Sequence, residues 1–184
     1  MSFNSRWIKK VKLKDGRMIL LRPEVASDLE MLWEMYSTLS EESLRFLPAP
    51  FTRDLVEGWV RNLNFDYVLP ILAICEVDGK ERIVGAATLQ FFHDNVNKHK
   101  AEFGIAIHDD FQNLGLGTLL TLDMVEIARR KGLKKVCLNV VLGNNRAMKV
   151  YERCGFKVEG LMLMNHFNVH TNAYGNDYSM AILL

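Results

Sequence analysis

The sequence predicts a mixed α/β fold: one sheet, largely antiparallel, with about four helices on its faces. Three observations predict it. The run 103–156 reads as strand, glycine turn, helix, strand, Asn-led turn, helix. Asp15-Gly16 and Asp78-Gly79 each separate two apolar-rich runs, which is a hairpin signal. The strands 103–107 and 135–141 are joined by a helix, and a crossover of that kind makes its two strands parallel.

Taken in order, Val11 and Leu13 alternate with lysines before Asp15-Gly16, and 17–22 returns as the second strand of a hairpin that Pro23 ends. Ser27 and Glu30 have capping-box spacing for a helix running to about Leu39. Its stripe of Leu29, Leu32, Trp33 and Tyr36 faces a core. Residues 40–46 make a loop or short helix before Pro48 and Pro50, and 52–62 a further helix. Strands follow at 71–77 and 83–92, a polar connection at 94–99, then a strand at 100–107 with alternating Phe103, Ile105 and Ile107. A helix starts near Thr118 and ends at Lys131, where Gly132 stops it. After the strand 135–141, Asn144 opens the last helix. Strands 157–165 and 177–184, with a polar loop at 168–176 between them, complete the chain.

A chain of 184 residues, 49% hydrophobic and 24% charged, suits one domain spanning 1–184. A net charge of +1 gives no overall field to hold nucleic acid or an anionic membrane. The first ten residues lack the apolar core of a signal peptide, and no run approaches a membrane span. Cys75, Cys137 and Cys154 are odd in number and show no C-x-x-C spacing, so reduced structural thiols in the cytoplasm are expected. The five histidines and three cysteines show no metal-ligand spacing, and no metal is expected.

The chemistry lies in two motifs. Gln112-Asn113-Leu114-Gly115-Leu116-Gly117 carries a strand into a helix, and paired glycines there let a ligand approach backbone. The open amides and positive dipole end of the helix then favour an anion, so the turn reads as a phosphate site. A dinucleotide fingerprint would need a third glycine where Leu120 stands, and the P-loop pattern is absent. The second motif is Asn144-x-x-Ala147-x-x-Val150-Tyr151-x-x-x-Gly155-Phe156. Ala147, Val150, Tyr151 and Cys154 share one helix face. By itself that makes Tyr151 a core aromatic with its hydroxyl at the rim, and Asn144 an N-cap. The two motifs together, in this order and spacing, resemble the acetyl-CoA site of GNAT-superfamily N-acetyltransferases. The opening DGR…RP is similar to the protein-lysine-acetylating branch, and it occurs in other branches too.

The resemblance implies a GNAT-like acyl-CoA N-acyltransferase fold whose two central parallel strands splay into a V-shaped slot. It implies acetyl-CoA as cosubstrate, its pyrophosphate on the backbone of Gln112, Asn113, Leu114, Gly115, Leu116, Gly117 and Thr118. The pantetheine arm would lie along Ile105, Ala106 and Ile107 and meet Asn144 and Ala147, with an amide near Ile105 facing the thioester carbonyl. Tyr151 would be the general acid for the departing thiolate. The acceptor would be a primary amine, on a protein lysine or N-terminus or a small amine such as a polyamine, attacking directly in a ternary complex. Some members carry a glutamate five residues before the Asn, where this chain has Asn139. Glu102 is the substitute base, with Glu41 and Glu42 next; His108 reads as a rim histidine. Arg146 and Lys149 read first as a solvated helix face, with contact to cofactor phosphate as the alternative. The competing expectations are an acetyl-CoA-sensing module without catalysis and another kind of nucleotide-binding domain. Exposed strand edges leave a homodimer open.

Overall fold

The computed structural model describes residues 7–47 and 49–184. Residues 1–6, which begin the stretch read as lacking a signal peptide, and Pro48 lie outside the described residues. The strands are β1 (Lys9–Lys12), β2 (Met18–Pro23), β3 (Val68–Val77), β4 (Lys80–Phe91), β5 (Lys100–Ile107), β6 (Lys135–Val141), β7 (Lys157–Asn168) and β8 (Ala173–Leu183). The helices are α1 (Leu29–Ser37), α2 (Glu41–Leu44), α3 (Arg53–Arg61), α4 (Leu116–Arg130) and α5 (Asn145–Arg153). One sheet takes all eight strands in the order β1-β2-β3-β4-β5-β6-β8-β7. Among the described residues only β5 and β6 pair in parallel, as the α4 crossover between them requires.

β3 is apolar at almost every position because helices cover both of its faces. Leu69, Ile71, Ala73 and Cys75 pack toward α4 and α5, with Leu116, Leu120 and Met124 of α4 against them in one cluster. Leu72 and Ile74 point the other way, into a second cluster with Leu32 and Met35 of α1 and Val56 and Val60 of α3. Each fully buried side chain of this size stabilises the fold by about 1.5–3 kcal/mol relative to exposure.

Several boundaries differ from expectation for identifiable reasons. The capping box at Ser27 and Glu30 does not form. Asp28, 1% exposed, instead accepts from the Val25 amide at 2.8 Å and grips Arg22 through two bonds of 2.7 and 2.6 Å. α4 starts at Leu116 rather than Thr118, because Gly115 takes the left-handed φ of 92° as its cap. The loop expected at 168–176 is mostly strand: Phe167↔Tyr174 and Asn168↔Ala173 continue the β7–β8 ladder. Its polar composition reflects an exposed hairpin rather than missing pairing. Among the described residues no helix is long and apolar enough to cross a membrane. No group of three or more His, Cys, Asp or Glu residues among them could hold a metal ion.

Candidate active site between β5 and β6

β5 and β6 pair only at Lys100↔Lys135, Ala101↔Val136 and Glu102↔Cys137. Past Glu102 they separate, and a cavity of about 870 Å³ opens between them. The backbone facing this gap follows from strand alternation. The His108 amide donates to the Val84 carbonyl at 3.0 Å, so Ala106, Gly104 and Glu102 exchange their bonds with β4. Ile105 and Ile107 therefore aim their amides at the gap, while the Phe103 amide, on the same side, is taken up by the last β6 pairing at Glu102↔Cys137. This corrects the expectation for Ala106, whose backbone belongs to β4 and which offers the cavity only its methyl group.

The glycine turn lines the cavity's α4 side through Gln112, Asn113, Gly115, Gly117 and Thr118. Among the described residues the amides of Asn113 and of Gly115 through Thr118 donate to nothing, which leaves a run of converging donors at the positive end of α4. Gln112 is different. Its amide donates to Asp109, and its side-chain amide donates to Ser43 Oγ and the Ile107 carbonyl, each at 3.0 Å. Its Oε1 accepts from Arg146. It is a brace that holds the turn, β5, α2 and α5 together. Leu114 packs its side chain on the core and gives its carbonyl to the Lys14 amide at 3.2 Å. Leu116 is fully buried and does not line the cavity, so its part in the turn is to anchor the start of α4 in the core.

On α5, Asn144 caps the helix by accepting from the Ala147 amide at 3.1 Å, and both residues line the cavity. Tyr151 is 8% exposed and lines it too. Its ring stands edge-on to Phe103 at 6.1 Å and lies 6.0 Å from Phe156. Its hydroxyl has no hydrogen-bond partner among the described residues. Burial pushes the phenol above its ordinary value, and the Cys154 thiol adds a smaller push. The Cys154 thiol is itself pushed up by burial, which keeps it a protonated core group. Arg146, Lys149 and Arg153 of α5 and Lys14 of the first turn also line the cavity. Arg146 and Lys149 are thus not a plain solvated face. Helical spacing i, i+3, i+7 was the signal that could have placed the three α5 cations on one side.

The opposite wall belongs to the other side of the sheet. Val136, Leu138 and Val140 of β6 and Met180 of β8 lie in the α4–α5 cluster, so alternation turns Asn139 and Asp177 the other way. Glu102 and Ala106 turn the same way on β5, and Ala106 joins the α1–α3 cluster. Glu102, Asn139, Asp177 and His166 line the cavity there, with Ser43, Phe46 and Leu47 from α2 and the turn after it. His166 and Asp177 were invisible in the sequence because an irregular strand pairing brings them together. Glu41 and Glu42 are exposed and do not line the cavity. His108 is buried, with Nε2 3.1 Å from Thr38 Oγ1 and Nδ1 accepting from the Asp110 amide, and so serves the turn.

Comparison with known proteins gives the family and the fold. The model of the acetyltransferase (GNAT) family matches residues 30–156. An L-amino acid N-acetyltransferase of Escherichia coli K12 is 31% identical over 143 residues, 77% of this chain and 85% of that protein. The GNAT domain of S. lividans PAT superposes with a TM-score of 0.79 at 19% identity, covering all of both chains. A spermidine N-acetyltransferase from Vibrio cholerae, solved with CoA and spermine, gives 0.73 at 22% identity over 90% of this chain and 95% of that one. The chain belongs to the GNAT family of acetyltransferases and is an acetyl-CoA-dependent N-acetyltransferase.

Proposed function

We propose that the cleft takes acetyl-CoA from the α4–α5 side and a primary amine from the opposite side, and joins them by direct attack. The observation that carries this reading is the set of open amides at Asn113, Gly115, Gly117 and Thr118 on the cavity that Tyr151 also lines. Those amides, with Arg146, Lys149 and Arg153 beside them, suit the pyrophosphate of the cosubstrate. The Phe103 carbonyl and the Ile105 backbone face the gap for an added-strand contact with the pantetheine arm, and Asn144 has its side-chain NH₂ left to give.

In this reading Glu102 takes a proton from the ammonium form of the acceptor. The freed lone pair attacks the thioester carbon while the Ile105 amide stabilises the carbonyl oxygen. As the carbon–sulfur bond breaks, Tyr151 gives its proton to the thiolate. Glu102 and the new amide nitrogen each lose a proton to solvent and the phenolate takes one back, so each turnover releases one proton net. Burial keeps the phenol protonated before the reaction and also makes it a weaker acid toward the thiolate. One domain spanning the chain would carry this chemistry in the cytoplasm, and the edge strands β1 and β7 would be the place for a homodimer.

The test is transfer of radiolabel from acetyl-CoA to a panel of amines: a lysine peptide, a peptide with a free N-terminus, L-amino acids and aliphatic amines. Label in at least one amine, dependent on enzyme, is expected. Binding of CoA with no transfer to any of them would favour a sensing module instead.

A further inference from the structure

Charge is segregated within the cavity. Its four lining cations, Lys14, Arg146, Lys149 and Arg153, come from the first turn and α5, whereas its two carboxylates, Glu102 and Asp177, stand on the opposite wall. No lysine or arginine lines that wall among the described residues. A free amino acid would have to bring its own carboxylate against this wall with no lysine or arginine there to pair with it.

The wall also contains a built polar unit. Between Met162↔Asp177 and His166↔Gly175 the β7 ladder advances four residues while β8 advances two, so β7 bulges. Met164 takes a φ of 49° in the bulge, and its amide donates to Asn176 Oδ1 at 2.8 Å. Bulges re-aim side chains, and this one turns two of them onto Asp177. Asn165 Nδ2 donates to Asp177 Oδ2 at 2.7 Å, and His166 Nδ1 lies 3.0 Å from the same oxygen. Asp177 is 4% exposed, and its Oδ1 has no partner. A carboxylate can only accept, so Nδ1 donates to it, and in the neutral imidazole Nε2 is left as an acceptor. Nε2 has no protein partner among the described residues. Gly175 makes room for the ring: a Cβ there would sit 2.3 Å from Nε2. Asn168 Nδ2 donates to the Arg45 carbonyl and His170 Nε2 meets the Ala49 carbonyl, each at 2.9 Å. These bonds pin the β7–β8 hairpin to the chain after α2, beside apolar Phe46 and Leu47.

We propose that the acceptor is an aliphatic diamine or polyamine. Its reacting nitrogen meets Glu102, its methylenes pass Phe46 and Leu47, and a second, cationic nitrogen donates to Nε2 of His166. The buried carboxylate of Asp177 behind the imidazole orients it and supplies the negative charge. This rests on the transferase reading above and narrows its substrate.

Three amines of one chain length separate the possibilities: cadaverine, pentylamine and the ω-amino acid, whose far ends are cationic, neutral and anionic. Wild-type kcat/KM is expected to be highest for cadaverine, by roughly ten- to a hundredfold over pentylamine, the worth of one charge-assisted hydrogen bond. The amino acid should be slowest. His166→Ala should bring cadaverine down to the level of pentylamine. Gly175→Ala should do the same by displacing the imidazole without changing any charge, at a residue whose φ is not in the left-handed region. A general loss of folded enzyme lowers all three rates together and leaves their ratios alone. Equal rates for cadaverine and pentylamine in the wild type, a preference for the amino acid, or a ratio that survives both variants would overturn the proposal. Label appearing in peptides or L-amino acids but in none of these three would overturn it while leaving the transferase reading in place. Label in no amine at all would remove both.

Discussion

Replacing Tyr151 with phenylalanine is expected to lower kcat by about 10²–10⁴-fold, the usual worth of a positioned general acid. The ring stays against Phe103 and Phe156, and the hydroxyl it loses makes no hydrogen bond among the described residues. Neither packing nor a buried bond is removed, so the thermal midpoint should hardly move. Acetyl-CoA affinity should also hold, because the phosphate contacts belong to the turn before α4. Solvent reaching the open cleft can protonate part of the departing thiolate, which favours the lower end of the range. The measurement is kcat under conditions where chemistry limits the rate, beside a CoA titration. A kcat within about twofold of wild type, outside the worth of a general acid, would return Tyr151 to the role of a core aromatic.

Gly117→Val should weaken CoA binding by roughly a hundredfold, as expected if one or two charge-assisted bonds to phosphate are lost. Gly117 is the second residue of α4, and a Cβ built on it meets nothing within 4 Å. The added side chain therefore projects into the cavity rather than into the protein. Valine is no worse than glycine in a helix, so the fold should tolerate it. Gly115 makes a poorer test. Its φ of 92° strains any side chain, and a variant there would lose folding and binding together. Calorimetric titration with CoA alongside a thermal melt separates the two effects at Gly117. Unchanged affinity in a folded Gly117→Val protein would mean the turn merely starts a helix.

The parts of this site legible in the sequence are those fixed by local rules. Gly115 and Gly117 mark the turn by their lack of side chains. Asn144 marks the α5 cap. The i, i+3, i+4 spacing of Ala147, Val150 and Tyr151 marks one helix face, and the crossover helix makes β5 and β6 parallel. What was not legible depends on how distant segments meet. Ala106 looked like one of three equivalent strand residues until its pairing with Ala86 fixed which way its amide points. Asn165 and His166 reach Asp177 only because β7 bulges, and nothing in a run of alternating polar and apolar residues states where a ladder slips. Ser43, Phe46 and Leu47 reach the cleft through the brace from Gln112 to Ser43, a contact across 69 positions of the chain.

The central claim is that the gap between β5 and β6 holds acetyl-CoA with its sulfur at Tyr151. A crystal structure with CoA bound tests it most directly. The pyrophosphate is expected on the amides of Asn113, Gly115, Gly117 and Thr118, the arm beside Ile105, and the sulfur within hydrogen-bond reach of the Tyr151 hydroxyl. CoA bound elsewhere, or seated in the gap with its sulfur directed away from Tyr151, would contradict it.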